Sequence, residues 1–505
     1  MRWFTVMAIV LLGAGCLVVN LDARGVWLDE IIYLNLERQS PSEILSALSV
    51  SFSDHHPPAY HFLAHAWIKI LGDTDFAIRL LSVFPGILSL ALLYQIGKSV
   101  GGTRLGKVAM FLLAVSPVAI LFTRLARYYA LTTMLGLLST LLFLRLCRYP
   151  SRNKWSAYIA ACVLLAYTDY FGCSLIIGHG LLALLANRKT KGFLLGWLAS
   201  QVVVAAVYLP WLHSFLRQAA SASTWGAADL AYSLTGYVLK LLYPLYAFSV
   251  GVTLFPWEAI AVLGGAALFI LGVLGLNSLA RMVKPWGSGL FVALAFIGIP
   301  FMLVFFTVSY VTPLVPFVAI PDHMVFVAPF FCLLFAAGWL RLSFRTLSMG
   351  IGLIVLATYA SSYYNYLAGI NFHNPVYAVP IGQAVDWVID NTQPGDVIIG
   401  ESDSAFGYHY GKRDHTAPYY DTGPEAFSAL AHQPPRVWVI TFGRDRTRAN
   451  YDNSGPVSFL QEHGYLPVIH RGYVEQDRIY RQVKEHLLNR PAYRYKLEIQ
   501  LYAAR

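Results

Sequence analysis

The chain has 505 residues, is 57% hydrophobic and only 13% charged, and has a mean hydropathy of +0.55, a profile that excludes an ordinary soluble domain and a disordered tail. The formal charge of +10 does not mark a nucleic-acid binder: residues 370–505 carry 14 Lys/Arg against 15 Asp/Glu, so the excess lies among the apolar segments. Cys16, Cys147, Cys162, Cys173 and Cys332 all fall in or beside apolar runs, which argues against a disulfide framework and leaves no Cys/His zinc spacing.

In chain order, the run from Trp3 to Leu21 is long enough to cross a hydrocarbon core and is read as a retained span. A lipoprotein cleavage box would need a large aliphatic residue three before Cys16, where this chain has Gly13. Then comes the only long polar interval of the first 213 residues. It runs from Trp27-Leu28-Asp29-Glu30 to His55-His56-Pro57-Pro58-Ala59-Tyr60-His61 and reads as an active-site loop within 22–76. Apolar windows follow at 77–97, 105–123, 128–146, 155–170, 172–187, 193–213, 256–277, 288–309, 322–340 and 346–366, giving eleven predicted spans with the first. The pair 155–170 and 172–187 is short enough for a shallow hairpin.

Basic residues mark one set of span ends as cytoplasmic: Arg2; Lys98, Arg104, Lys107; Arg145, Arg148, Arg152, Lys154; Arg188, Lys189, Lys191; Arg281, Lys284; Arg341, Arg345. The polar loop, the 214–255 loop and residues 370–505 are therefore expected on the far side. The expected organisation is a polytopic α-helical membrane domain, 1–369, and a C-terminal α/β domain, 370–505. In the latter, Ile381–Asn391 and Pro456–His463 read as helices, and Val397–Ile399, Val437–Thr441 and Leu497–Ala503 as strands.

Four groups could carry chemistry. Asp29 and Glu30 are costly near a bilayer unless solvated, paired or working; the plain alternative is a helix start with Asp29 as N-cap. Arg124 and Arg127, with Tyr128, break the positive-inside trend. Spaced three apart on one helix, they would either reach lipid headgroups or form an anion site, since guanidinium groups bind phosphate bidentately. Asp169 with Tyr170, and Asp322-His323, are either local caps or members of the same polar face. His179 reads as a packing histidine.

The motifs Asp-Glu-x-x-Tyr, His-x-Pro-Pro-Ala-Tyr, Ala77-Ile78-Arg79-Leu80-Leu81-Ser82, and Ser116-Pro117 followed by Arg124-Leu125-Ala126-Arg127-Tyr128-Tyr129 resemble in order and spacing the glycosyltransferase C superfamily. The closest likeness is to bacterial members related to protein O-mannosyltransferases and lipid A aminoarabinose transferases. The resemblance covers residues 1–210 by motif and the rest by architecture. It implies a polyprenyl-phosphate-linked sugar as donor, an envelope glycan, lipid or protein as acceptor, contact with membrane lipid, and a periplasmic site in the bacterial inner membrane. It implies catalytic roles for Asp29 and Glu30 and donor-phosphate contacts for Arg124, Arg127, Tyr128 and His323. His55, His56, Arg79, Asp169 and Tyr170 are expected to line the substrate site. This chain has Asp169-Tyr170 and His323-Met324 where many relatives have His-Tyr and Arg-Tyr pairs, so His323 stands where an arginine is expected. A divalent cation bridging Asp29 or His56 to phosphate fits the residue types, although no full ligand set is visible. The rival classes are a transporter or flippase for lipid-linked sugars, whose charges would sit near the midplane of an inverted repeat, a polysaccharide ligase, and a membrane-anchored carbohydrate-binding module.

Overall fold

Long apolar runs can satisfy their backbone groups in hydrocarbon only as helices or closed barrels, and this chain takes the first route. The computed structural model describes residues 2–51, 54–186, 192–222, 233–282, 292–312, 317–400, 405–443, 454–488 and 492–504. They divide into two units, Met1–Leu21 with Ile32–Tyr364, and Asp22–Ile31 with Asn365–Arg505. The basic residues Arg188, Lys189, Lys191 and Lys284 lie outside the described residues.

The chain is a multi-pass membrane protein. Among the described residues, seven helices are long and apolar enough to cross a bilayer: Asp75–Gly101, Tyr129–Arg148, Phe193–Ser221, Ala259–Leu279, Leu294–Val311, Asp322–Trp339 and Arg345–Ala368. Thr103–Val115 and Pro117–Thr123, bent by 61°, make an eighth if they form one broken span. The break falls at Ser116-Pro117, where proline removes a backbone donor and crowds the preceding turn. The eleven expected spans also included three segments that form shorter helices here, Trp3–Val18, Arg152–Ala166 and Phe171–Leu184. Residues 214–255, expected as a loop, instead hold the apolar helix Leu234–Val250.

Small residues let these helices approach closely. A Cβ on Gly338 would fall against the Leu271 carbonyl, and one on Gly275 against the Leu334 carbonyl. The helices Ala259–Met282 and Ala328–Trp339 therefore cross at backbone contact, as packing without a hydrophobic drive requires. The N-terminal helix packs Leu17, with Leu21 beyond it, on Val83 and Ile120.

In the second unit a five-stranded sheet has the order β2-β1-β3-β5-β4, with β1 Val397–Gly400, β2 Tyr419–Asp421, β3 Arg436–Phe442, β4 Leu466–Glu475 and β5 Tyr495–Ala503. β1 runs parallel to β2 and β3, whereas β5 is antiparallel to β3 and β4. The predicted helix Ile381–Asn391 is present with those bounds. Val397, Ile399, Val437 and Val439 bury one sheet face against Ala426, Leu430 and Leu460.

Candidate active site

The polar stretch takes its shape from Pro57-Pro58. Pro58 occupies the N-cap position of the helix Ala59–Leu71, a position that needs no backbone donor. The Ala59 amide donates to the Tyr167 carbonyl at 2.9 Å, fixing the stretch on the turn beyond the helix Arg152–Ala166. Four acid and imidazole groups then alternate along one line. His56 Nδ1 lies 2.9 Å from both carboxylate oxygens of Asp54. Asp54 Oδ2 is 3.1 Å from His61 Nε2, and His61 Nδ1 is 3.3 Å from Glu37 Oε1. Glu37 and His61 are buried.

Burial pushes the Asp54 carboxyl up, but the His56 and His61 imidazoles together outweigh it and hold the group well below the usual carboxylate range. Burial lowers His61, yet its hydrogen bonds to Asp54 and Glu37 raise it from 6.5 to about 9, making it an imidazolium between two carboxylates. Burial dominates at His56 and, aided by the positive charges of Arg127 and His323, lowers it in spite of Asp54. Burial likewise raises Glu37, which His61 only partly offsets. The line therefore holds one charged imidazole and one neutral one.

Beside it stands Arg127. Its guanidinium lies 4.7 Å from the centre of the Tyr33 ring, 5.2 Å from Tyr129 and 5.7 Å from Tyr128, the geometry of cation–π contact. The expectation that Arg124 and Arg127 share one helix face is corrected: the helix ends at Thr123, and the next begins at Tyr129. Ser82 Oγ donates to the Arg127 carbonyl at 3.3 Å and so anchors the intervening turn. The Tyr128 ring lies 4.3 Å from His56, and its buried hydroxyl has no hydrogen-bond partner among the described residues.

The two other arginines act differently. Arg124 donates to the carbonyls of Cys16 and Asn20 at 3.1 and 2.7 Å, and Arg79 donates to Leu21 at 2.9 Å. Both neutralise carbonyls at the end of the N-terminal helix, where the dipole is negative. Asp169 accepts from the amides of Phe171 and Gly172 at 3.0 and 3.2 Å, the local-cap alternative. Tyr170 donates to Gln218 at 2.6 Å and accepts from Trp211 at 2.9 Å. His55 Nε2 lies 2.9 Å from Ser221 Oγ. His323 Nδ1 is 3.3 Å from Asp322 Oδ1, and its ring packs on Phe171.

Asp29 and Glu30 belong to the stretch Asp22–Ile31 that clusters with the second unit. They lie in the first turn of the helix Leu28–Glu37, and the buried Glu30 carboxylate accepts from the Trp27 amide at 3.3 Å. Asp29 is therefore inside the helix and not at its N-cap. Within that unit His409 Nε2 is 3.0 Å from the Val26 carbonyl, and Trp27 packs edge-on against Tyr377. Among the described residues no group of three or more His, Cys, Asp or Glu is arranged to hold a metal ion.

Sequence reasoning missed Asp54 and Glu37, which complete the site around His56 and Arg127 together with Tyr33, the tyrosine of the Asp-Glu-x-x-Tyr motif. The signal available was an acid directly before His55-His56 with a third histidine at 61. A small, mostly apolar pocket includes Leu17, Leu90, Ile120, Thr123 and Thr133 in its lining. Thr123 and Thr133 sit on the two helices that flank the Arg124–Tyr128 turn.

A family model described as dolichyl-phosphate-mannose-protein mannosyltransferase matches residues 55–213, less than half of the chain but the part that holds His56, Arg127 and Tyr128. Among solved structures, the chain is similar to ArnT from Cupriavidus metallidurans bound to undecaprenyl phosphate, with TM-score 0.54 and 13% identity over 98% of this chain and 97% of that one. The apo form of ArnT gives TM-score 0.56 and 12% identity over the same shares. No curated protein matches by sequence. At such identities the structural likeness speaks for fold alone: the chain shares the fold of ArnT, and residues 55–213 match the mannosyltransferase family model.

Proposed function

We propose that this chain is a membrane glycosyltransferase that moves a sugar from a polyprenyl-phosphate donor to an acceptor hydroxyl at the periplasmic face of the bacterial inner membrane. The observation that carries the reading is Arg127: a buried guanidinium ringed by Tyr33, Tyr128 and Tyr129, beside a line of carboxylates and imidazoles. A guanidinium in such surroundings is matched to a phosphodiester. The similar ArnT structure was solved with undecaprenyl phosphate bound.

In the transfer the acceptor oxygen bonds to the anomeric carbon as the bond from that carbon to the phosphate oxygen breaks. The electron pair stays on the lipid phosphate, so no strong general acid is needed, unlike glycoside hydrolysis. Arg127 opposes the charge that develops there. A single displacement inverts the anomeric carbon. The phosphate contact is assigned to Arg127, with Tyr128 beside it and His323 as a second contact. Asp29, with Glu30, is assigned the orientation or deprotonation of the acceptor that the resemblance implies, and residues 370–505 are assigned to the periplasm.

The test is to incubate the purified protein with labelled polyprenyl-phosphate sugars, including mannose and aminoarabinose donors, and envelope extracts, and to analyse products by mass spectrometry. Sugar transfer with release of lipid phosphate is expected, lost in Asp29→Asn at unchanged expression and folding. Full activity in that variant removes Asp29 from the reaction.

A further inference from the structure

The line Glu37, His61, Asp54, His56 is closed at one end and open at the other. His61 presents each ring nitrogen to a carboxylate, so it holds both its protons and its charge balances one of the two acids. Asp54 stays ionised, and an ionised carboxylate can only accept. His56 must therefore donate its Nδ1 proton to Asp54, which leaves Nε2 as the lone-pair nitrogen of a neutral ring. Nε2 makes no hydrogen bond to any described residue, and the His56 side chain keeps 16% of its surface exposed while His61 keeps none. This is the arrangement of a general base, an imidazole whose tautomer and orientation are fixed by a carboxylate behind it.

Burial and the neighbouring positive charges favour the same form, against the pull of Asp54. Tyr128 lies across the ring at 4.3 Å and Tyr33 meets it edge-on at 6.2 Å. Asp54 holds Nδ1, and the nearby charges of Arg127 and His323 disfavour a second proton. A base next to Arg127 would also sit beside the phosphate that the proposed reaction expels.

We propose that His56 takes the acceptor hydroxyl's proton on Nε2 during sugar transfer, with Asp54 as its positioning residue and the Glu37–His61 pair holding Asp54 ionised. The inference rests on the glycosyltransferase reading. The acceptor oxygen gains the anomeric carbon as its proton passes to Nε2, and the imidazolium then returns that proton to water or to the departing phosphate. Protons and charge balance without any further reactant.

Three variants test it, each on the full chain in detergent with a polyprenyl-phosphate sugar that the wild type accepts. In Asp54→Asn the amide donates to Nδ1 and moves the ring proton to Nε2. Turnover should fall by about 10²- to 10⁴-fold, the span of general-base effects, with donor KM within about threefold, as expected when an interaction specific to the transition state is lost. His56→Gln should show the same loss. His56→Ala should regain turnover when imidazole is added, and its rescued rate should follow the titration of free imidazole, which a merely structural role would not produce. Thermal unfolding of each variant, and donor KM itself, separate chemistry from misfolding. If Asp54→Asn and His56→Gln turn over within threefold of the wild type, or imidazole rescues nothing in a folded His56→Ala, the base assignment is overturned while the glycosyltransferase reading stands. A wild type that transfers sugar from no donor overturns both.

Discussion

Each unit buries a carboxylate among polar partners, and the two sites differ in how they end. In the second unit Asp396 accepts from Arg436 at 2.9 and 2.7 Å, from Trp438 Nε1 at 2.9 Å and from the Gln393 amide at 2.9 Å. Its oxygens are spoken for, at the edge of the hydrophobic sheet core. In the first unit Asp54 is held by His56 and His61 but keeps 12% of its side chain exposed against 1% for Asp396, and the line continues to a partly exposed imidazole, with a buried Tyr128 hydroxyl beside it that has no hydrogen-bond partner among the described residues. A closed cluster locks a fold, whereas one with an unused valence awaits a ligand. The arginines differ in surroundings: Arg79 and Arg124 donate to helix-end carbonyls, while Arg127 is framed by aromatic rings.

Substitutions sharpen this contrast. On donor dependence the largest effect is expected from Arg127→Ala, which should raise the donor concentration needed for half-maximal transfer by about 10²-fold or more, as loss of a charge-assisted phosphate contact of roughly 3 kcal/mol implies. Arg124→Ala should instead lower thermal stability while the folded fraction keeps its donor dependence. Equal donor curves for the two variants would erase the distinction. Next, Asp396→Ala strands Arg436 and should destabilise the second unit by about 3–5 kcal/mol, the usual result of breaking a buried pair. It should leave turnover per folded molecule unchanged, and a kinetic defect without unfolding would show that the closed cluster also has a function.

The smallest effect is a pH dependence of stability. His61 rises from 6.5 to about 9 on folding, so its contribution is complete below pH 6.5 and fades as pH climbs through 9. Asp54 is depressed, so its share is complete above the usual carboxylate range and is lost as pH falls through its folded value. Unfolding in detergent should show stability declining between pH 6.5 and 9 by a few kcal/mol, since each pKa unit is worth about 1.4 kcal/mol. The decline should vanish in His61→Gln, and an unchanged slope there would remove His61 as its source.

Much of this was legible in the residues, for physical reasons that also explain the gaps. Apolar windows mark helices because lipid leaves the backbone no alternative; the window 105–123 was read as one span, and the bend at Ser116-Pro117 came only with the structure. The helix Leu234–Val250 was missed because Lys240 and several tyrosines interrupt its hydropathy; Lys240 is buried by donating to the Val308 carbonyl at 2.6 Å. Strand β4 was missed because it is an exposed edge carrying Pro467 and Gly472, with no alternating burial to betray it. By contrast, Ile479, Val483 and Leu487 fall at helical spacing in Arg478–Leu488, a periodic signal that could have been read.

Within the site, His56 and Arg127 stood out by residue type and neighbourhood. Asp54 and Glu37 did not, since an acid in a polar loop looks solvated until the chain folds a histidine against it. The pairing of Arg124 with Arg127 failed because the helix stops at Thr123, and spacing arguments hold only while the helix lasts.

The central claim is that the sugar leaves its lipid phosphate by a single displacement in this membrane protein. The most direct measurement is NMR of the product formed from an anomerically defined, isotope-labelled polyprenyl-phosphate sugar by the purified chain in proteoliposomes. The account predicts a glycoside of inverted configuration together with one free polyprenyl phosphate per sugar moved. A product of retained configuration, or intact donor carried across the bilayer with its phosphodiester uncut, would contradict it.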